Sequence, residues 1–333
     1  MRLSRRALIT AGSSVAAAAI LAGGIFALTR GSPGSSGSSP GPGGRQALTS
    51  PFTGEPVSSL GRELIFKIDN VVQARPPTGL GNADIVYLLP VEGGLSRIFA
   101  VFSGHVPPVV GPVRSARAED LELLRQFGRP AFAFSGAQPH LLPVVEHARI
   151  VNLYAGVTSG YFRDAGRAAP YNLYARTRQL LAHAPDASRA RDIGFRFGPA
   201  PAGGRPASSY QVSYPAFAFT VRWSASGHRW LVWMDGRPAV TAAGGQLGGP
   251  TVVVQYVRVS TSVFRERGIR PPFANTVGSG TAVVLRNGRA YQVHWSRPSP
   301  DAGPEFTLPS GRRMPFSRGQ VWVIYGYGPG STS

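Results

Sequence analysis

Cysteine is absent from the 333 residues. Disulfides, thiolate metal sites, a cysteine nucleophile and a lipid-modified cysteine are therefore excluded. Lysine is nearly absent as well: Lys67 is the only one, and arginine supplies the remaining basic charge. Acidic residues number 16 against 35 basic ones, for a net charge of +19 at pH 7. The arginines are scattered from Arg2 to Arg318. A nucleic-acid binder concentrates them in one stripe, so nucleic acid is not an expected partner. The excess charge favours anionic partners, such as phosphate-bearing wall polymers or lipid headgroups. Charged residues are only 15% of the chain, while Gly (42) and Pro (30) are abundant, which suits a turn-rich globular protein rather than a helical bundle. With 43% hydrophobic residues the chain can bury a sizeable core, and its length suits two domains.

What is present begins with an export pattern. The first six residues, Met1 to Arg6, hold three arginines, and residues 7–29 carry no charge. A basic n-region followed by an apolar h-region is the layout of a signal peptide. Ser4-Arg5-Arg6 resembles a twin-arginine export signal, although Leu8 stands where Phe is usual and Thr10 where Lys is common. As a helix, residues 7–29 are long enough for a hydrocarbon core of about 30 Å. Residues 1–30 are therefore read as a signal peptide or signal anchor, with cleavage and retention both open. Residues 31–50 are a Gly/Ser/Pro linker that cannot bury apolar surface and is expected to be disordered. The expected location is extracytoplasmic, either secreted or membrane-anchored by the N-terminal segment.

The folded part is read as α+β: an N-terminal α/β domain at 51–197, then a mainly antiparallel β domain at 207–330, joined by a Pro/Gly-rich linker at 198–206. Apolar runs predict strands at 63–68, 84–89, 97–102 and 130–134. Leu121, Leu124 and Phe127 share one face of a helix predicted at 118–127, and a second helix is predicted at 139–147. Beyond residue 210 the runs at 217–223, 230–234, 251–259, 282–286, 290–295 and 321–325 read as strands. Asp235-Gly236 and Asn287-Gly288 between them are strong hairpin signals. All five tryptophans lie in this half, where core packing is the better reading than a carbohydrate platform.

The nucleophile elbow, the zinc-protease helix, the phosphate-binding loop and the dinucleotide fingerprint are all missing. His140 and His147 have no carboxylate to complete a metal site. No metal or cofactor is expected. A chain of polar motifs does stand out in the first half: Asp69-Asn70, Ala74-Arg75-Pro76, Ala83-Asp84, Glu92-Gly93-Gly94 with Arg97, Gly111-Pro112-Val113-Arg114-Ser115-Ala116-Arg117, Arg163-Asp164 with Arg167, and Pro170-Tyr171-Asn172-Leu173-Tyr174. Glycines 93 and 94 permit positive φ or close backbone approach to a ligand. Ser115 is placed to cap the helix that follows. Arg114 and Arg117 would then sit at a helix N-terminus, which disfavours cations by a few tenths to about 1 kcal/mol each. The offset is either internal, from Glu119, Asp120 or ion pairs with Asp69, Asp84, Glu92 or Asp164, or an external anion held by both guanidinium groups.

In order and spacing these motifs, with Pro51-x-Thr53-Gly54 before them and Val277-Gly278-Ser279-Gly280 and Asn287-Gly288 after them, resemble the YerB-like family of bacterial envelope proteins, domain of unknown function 3048. The resemblance covers residues 50–330. It implies an N-terminal α/β domain, a C-terminal β domain and an envelope location often secured by a lipidated cysteine. It implies no activity. This chain departs from the family in lacking that cysteine and in carrying Tyr171 where a histidine often precedes Asn-Leu-Tyr.

The reading is an exported envelope protein that binds an anionic or cell-wall ligand. Candidate ligand-binding residues are Asp69, Asn70, Arg75, Asp84, Glu92, Arg97, Arg114, Ser115, Arg117, Arg163, Asp164 and Asn172. The alternatives are a hydrolase or transferase that works on a wall glycan with a pair of these carboxylates, and a structural scaffold in which the polar cluster only fixes the fold.

Overall fold

The computed structural model of the chain describes residues 48–265 and 268–329. The export pattern at 1–30 and nearly all of the Gly/Ser/Pro linker lie outside the described residues. Among the described residues no helix is long and apolar enough to cross a membrane.

The strands in chain order are β1 (Leu64–Asp69), β2 (Ile85–Val91), β3 (Leu95–Phe102), β4 (Val109–Val110), β5 (Ala131–Phe134), β6 (Val151–Tyr154), β7 (Tyr161–Arg163) and β8 (Leu173–Arg176). They continue with β9 (Arg205–Pro206), β10 (Ser209–Tyr214), β11 (Phe217–Ser224), β12 (Arg229–Met234), β13 (Arg237–Pro238) and β14 (Gly248–Gly249). The last are β15 (Thr251–Val257), β16 (Val259–Thr261), β17 (Pro272–Ala274), β18 (Gly278–Arg286), β19 (Arg289–Arg297), β20 (Glu305–Thr307) and β21 (Val321–Tyr327). Three short α-helices accompany them: α1 (Ala118–Leu124), α2 (Leu142–Glu146) and α3 (Thr177–Ala182).

One sheet of 11 strands runs in the order β20-β19-β18-β15-β21-β2-β3-β1-β5-β6, with β9 on the side of β19. Its central strands are continuous apolar runs because both faces are covered. Side chains alternate between two cores. Leu64, Phe66 and Ile68 of β1 point into a core shared with Trp322 and with Phe219, Trp230 and Val232 of a second sheet, β10 to β14. Ile65 of β1 points the other way, into a core shared with Phe99, Phe132, Leu123 of α1 and Val323. Trp230, Trp295 and Trp322 are among the largest fully buried side chains, consistent with core packing.

The fold is mainly β, so the expectation of an N-terminal α/β domain needs correcting. The helices span only seven, five and six residues. β2 and β3 form a hairpin across Glu92–Gly94, and β1 joins β3 antiparallel as well. Only β5-α2-β6, with its two strands parallel, follows the alternating strand–helix plan. The apolar runs were legible as strands, but a run buried on both faces looks the same in a parallel or an antiparallel partnership.

The two halves also share the large sheet. β21, near the C-terminus, lies between β15 and β2 and is parallel to both. Each half would otherwise end on an apolar, unpaired edge, which is an aggregation liability. The stretch expected as a linker is held in place: Arg286 bonds the carbonyl of Gly198, Arg289 those of Gly203 and Gly204, and Tyr291 that of Pro201. The hairpin signals hold. Asp235-Gly236 turns β12 into β13 and Asn287-Gly288 turns β18 into β19, with φ of 51°, 75°, 50° and 68° in that order.

Glu63, just before β1, is fully buried, and neither carboxylate oxygen has a hydrogen-bond partner. Burial pushes its carboxyl up to about 9, against the opposing pull of the Arg191 charge. The raised pKa means that the folded state keeps a proton which the unfolded chain loses above about pH 4.5, so this group erodes stability as pH rises toward 9. Glu63→Gln is expected to stabilise the protein by on the order of 3 kcal/mol at pH 8 and by almost nothing at pH 4. Melting curves at both pH values check it; an equal effect at both would exclude ionisation as the cause.

Candidate functional site

The candidate residues fall into three groups. The first lies at one end of β1, β2 and β3, where Asp69 pairs in register with Arg97, and Arg97 with Leu89. Asp69 is buried at the end of its strand, and its Oδ1 accepts the backbone N–H groups of Asn70 at 2.9 Å and Val71 at 3.4 Å. Its Oδ2 stands 2.9 Å from Arg114 Nε, an ion pair rather than an aligned hydrogen bond. Asn70 is buried and donates to Ser96 Oγ at 2.8 Å. Arg117 Nε donates to Glu92 Oε1 at 2.5 Å. Burial opposes ionisation of Glu92, but the Arg117 charge and hydrogen bond outweigh it and hold the carboxyl below its usual range. Arg97 is buried and donates to the carbonyl of Ser115 at 3.1 Å. Burial, and then the like charge of Arg117, lower its pKa to about 10.

One expectation fails here, and one of the two offsets expected for Arg114 and Arg117 is present. Ser115 does not cap a helix: α1 starts at Ala118 with Arg117 at the N-cap position, and the Asp120 carboxylate accepts the Arg117 N–H at 2.7 Å. Ser115 instead lies 3.4 Å from Ser135 Oγ through its own hydroxyl. Arg114 and Arg117 have the internal offset, ion pairs with Asp69 and Glu92 respectively. Glycines 93 and 94 have φ of 72° and 68°. The close approach at Gly94 is to protein, because a Cβ there would lie 2.6 Å from the Pro215 side chain.

The second group is the β7–β8 hairpin. Arg163 Nη1 donates to Asn172 Oδ1 at 2.7 Å, Asn172 Nδ2 reaches the Arg167 carbonyl at 3.1 Å, and Asp164 Oδ1 accepts the Gly166 N–H at 2.9 Å. The remaining two residues stand apart. Asp84 lies at the opposite end of β2, where its Oδ2 accepts the N–H and hydroxyl of Ser103 and the N–H of Gly104; burial still raises its carboxyl despite these bonds. Arg75 spans from the Asn70 carbonyl to Asp235 Oδ2 at 2.7 Å, with its guanidinium 5.3 Å from the Phe217 ring. Both are structural ties.

The first two groups meet at a cleft of about 430 Å³. Arg114 and Arg163 line it together with Ser135, Tyr161 and Pro170. Tyr171 lies beneath Arg114, its ring centre 5.8 Å from the guanidinium carbon. Ser135 and Tyr161 carried no signal in the sequence, because neighbouring elements bring them in. No cluster of His, Cys, Asp or Glu that could hold a metal is found among the described residues. Each of the four carboxylates considered for glycan chemistry, Asp69, Asp84, Glu92 and Asp164, is held by partners of its own.

The family described as "Protein of unknown function (DUF3048) N-terminal domain" matches residues 52–191, and its C-terminal counterpart matches 210–323. The chain belongs to the DUF3048 family. YerB of Bacillus subtilis (strain 168), named a candidate lipoprotein, is 41% identical over 73 residues, a stretch covering 21% of this chain and 22% of that protein. The crystal structure of YerB protein from Bacillus subtilis superposes with a TM-score of 0.71 at 20% identity, over 84% of this chain and 96% of that one. This chain therefore shares its overall fold with the YerB structure.

Proposed function

We propose that this DUF3048 protein works outside the cytoplasm as a binding protein, and that the cleft beside Arg114 and Arg163 takes an anionic group of an envelope component. The observation that carries the reading is the convergence of two guanidinium groups from separate elements on one solvent-open cleft, with the Ser135 hydroxyl between the elements. Arg163 gives Nη1 to Asn172 and Arg114 pairs with Asp69 at Nε, and both residues line the cleft. A planar guanidinium fork suits phosphate or carboxylate oxygens. The net charge of +19 would raise the local concentration of any anion. The basic and then apolar N-terminal segment, and the description of the YerB relative as a candidate lipoprotein, support the location.

The test is a thermal melt with inorganic phosphate or a polyphosphorylated polymer. A ligand at about 100 times its dissociation constant adds about 2.7 kcal/mol to the folded state. The double variant Arg114→Ala, Arg163→Ala should fold and lose that gain. A wild type whose melting point ignores both anions, or a double variant that keeps the full response, would defeat the proposal.

A further inference from the structure

The only lysine of the chain is fully buried, in the middle of β1 and directly opposite Phe99 of β3. Lys67 Nζ lies 2.5 Å from Asp120 Oδ1, and Asp120 is itself fully buried at the start of α1. Glu119, 1% exposed, places Oε1 3.9 Å from the same Nζ, and neither of its carboxylate oxygens has a hydrogen-bond partner. One amine, one carboxylate in contact with it and one unengaged carboxyl beside both are thus sealed from water. As a mere ion pair the arrangement is expensive, because desolvating two charges can exceed their mutual attraction. We propose that Lys67 and Asp120 become joined by an intramolecular amide bond that the folded protein makes itself, with Glu119 passing the proton.

The chemistry balances without any co-reactant. In the dry interior a proton moves from the ammonium to Asp120 Oδ1, leaving a neutral amine and a neutral acid. The amine lone pair attacks Asp120 Cγ and the N–C bond forms. Negative charge gathers on Oδ2, which already accepts the Arg117 N–H at 2.7 Å, a donor fixed where the charge develops. Glu119, entering as the neutral acid, gives its proton to the Oδ1 hydroxyl from one carboxyl oxygen while its other oxygen takes a proton from Nζ. The Cγ–Oδ1 bond breaks and one water leaves; Glu119 ends as it began. Burial, opposed by the Lys67 charge, raises the Glu119 carboxyl and so favours the neutral acid from which this step starts. Contact between the reacting groups in a rigid core supplies the high effective concentration that a condensation needs. The product ties α1 to β1 across 53 positions of sequence, a covalent staple in a chain that has no cysteine to make one.

The unique lysine makes the test simple. The full-length protein is denatured and weighed intact, then digested with a lysine-specific endoprotease. The bonded form should weigh one water less than its sequence and resist the protease, because an acylated lysine is not cleaved. The full sequence mass, with cleavage after Lys67 into two fragments, would overturn the proposal. Glu119→Gln keeps the shape and should restore both the full mass and the cleavage. A Glu119→Gln protein that still lacks the water and resists cleavage would remove Glu119 from the reaction.

Discussion

Arg297→Met is expected to cost about 4 kcal/mol of folding stability, near the upper end for a single substitution. Arg297 is 1% exposed and ends β19. Its guanidinium donates to the carbonyls of Glu122, Pro300 and Ala302 at 2.9, 2.6 and 2.7 Å and to Thr276 Oγ1 at 2.5 Å. Methionine fills much of the volume and supplies none of these donors. Each acceptor left buried and unpaired costs about 1–3 kcal/mol, with partial relief as neighbours shift. Glu122 belongs to α1 of the first half, and its carboxylate accepts the N–H groups of Thr276 and Val277 from the second. The substitution therefore loosens the junction between the halves as well. Denaturant unfolding of both proteins reads the difference. A loss under about 1 kcal/mol would mean that these hydrogen bonds are readily replaced by water.

Arg117→Ala should cost about 3 kcal/mol, whereas Arg114→Ala should cost about 1 kcal/mol or less. The two arginines are three residues apart, yet Arg117 is 5% exposed and the Arg114 side chain is 26% exposed. Removing Arg117 strands the Glu92 carboxylate in a mostly buried place. The cost stays at the low end because the like charge that Arg117 imposes on Arg97 is lifted. Removing Arg114 leaves Asp69 its two backbone N–H partners. The pH dependence gives a second check. Glu92 has a lowered pKa in the fold, so its pairing energy is fully present above about pH 4.5 and is lost as pH falls further. The gap between wild type and Arg117→Ala should therefore narrow in acid. Equal costs for the two variants, or a gap that widens in acid, would contradict the assignment.

The fate of the polar motifs shows how far residue types alone could lead. Asp69, Arg97, Glu92, Arg114 and Arg117 do converge at one end of the sheet, and their charges were the legible part. Which carboxylate meets which arginine was not legible, because strand register and the path of the Glu92–Gly94 turn decide it. Asp84 looked equivalent to Asp69 in sequence. The antiparallel pairing of β1 and β2 with β3 sends it to the opposite end, where it binds Ser103 and Gly104. Lys67 was visible as a single lysine in an apolar strand, but nothing local marked Asp120 as its partner 53 residues later.

By itself the sequence determined the local features. Two-residue Asp-Gly and Asn-Gly turns require positive φ and so fixed their hairpins. Apolar runs of five to nine residues, with no helical period, fixed the buried strands. The absence of cysteine excluded disulfides outright. Tertiary structure alone decided the pairing of β21 with both β2 and β15, the cleft between Arg114 and Arg163, and the contact between Lys67 and Asp120. The physical reason is range. Turn geometry and side-chain alternation are set by neighbouring residues, whereas strand order and side-chain encounters follow from burying every apolar edge and face of the whole chain at once.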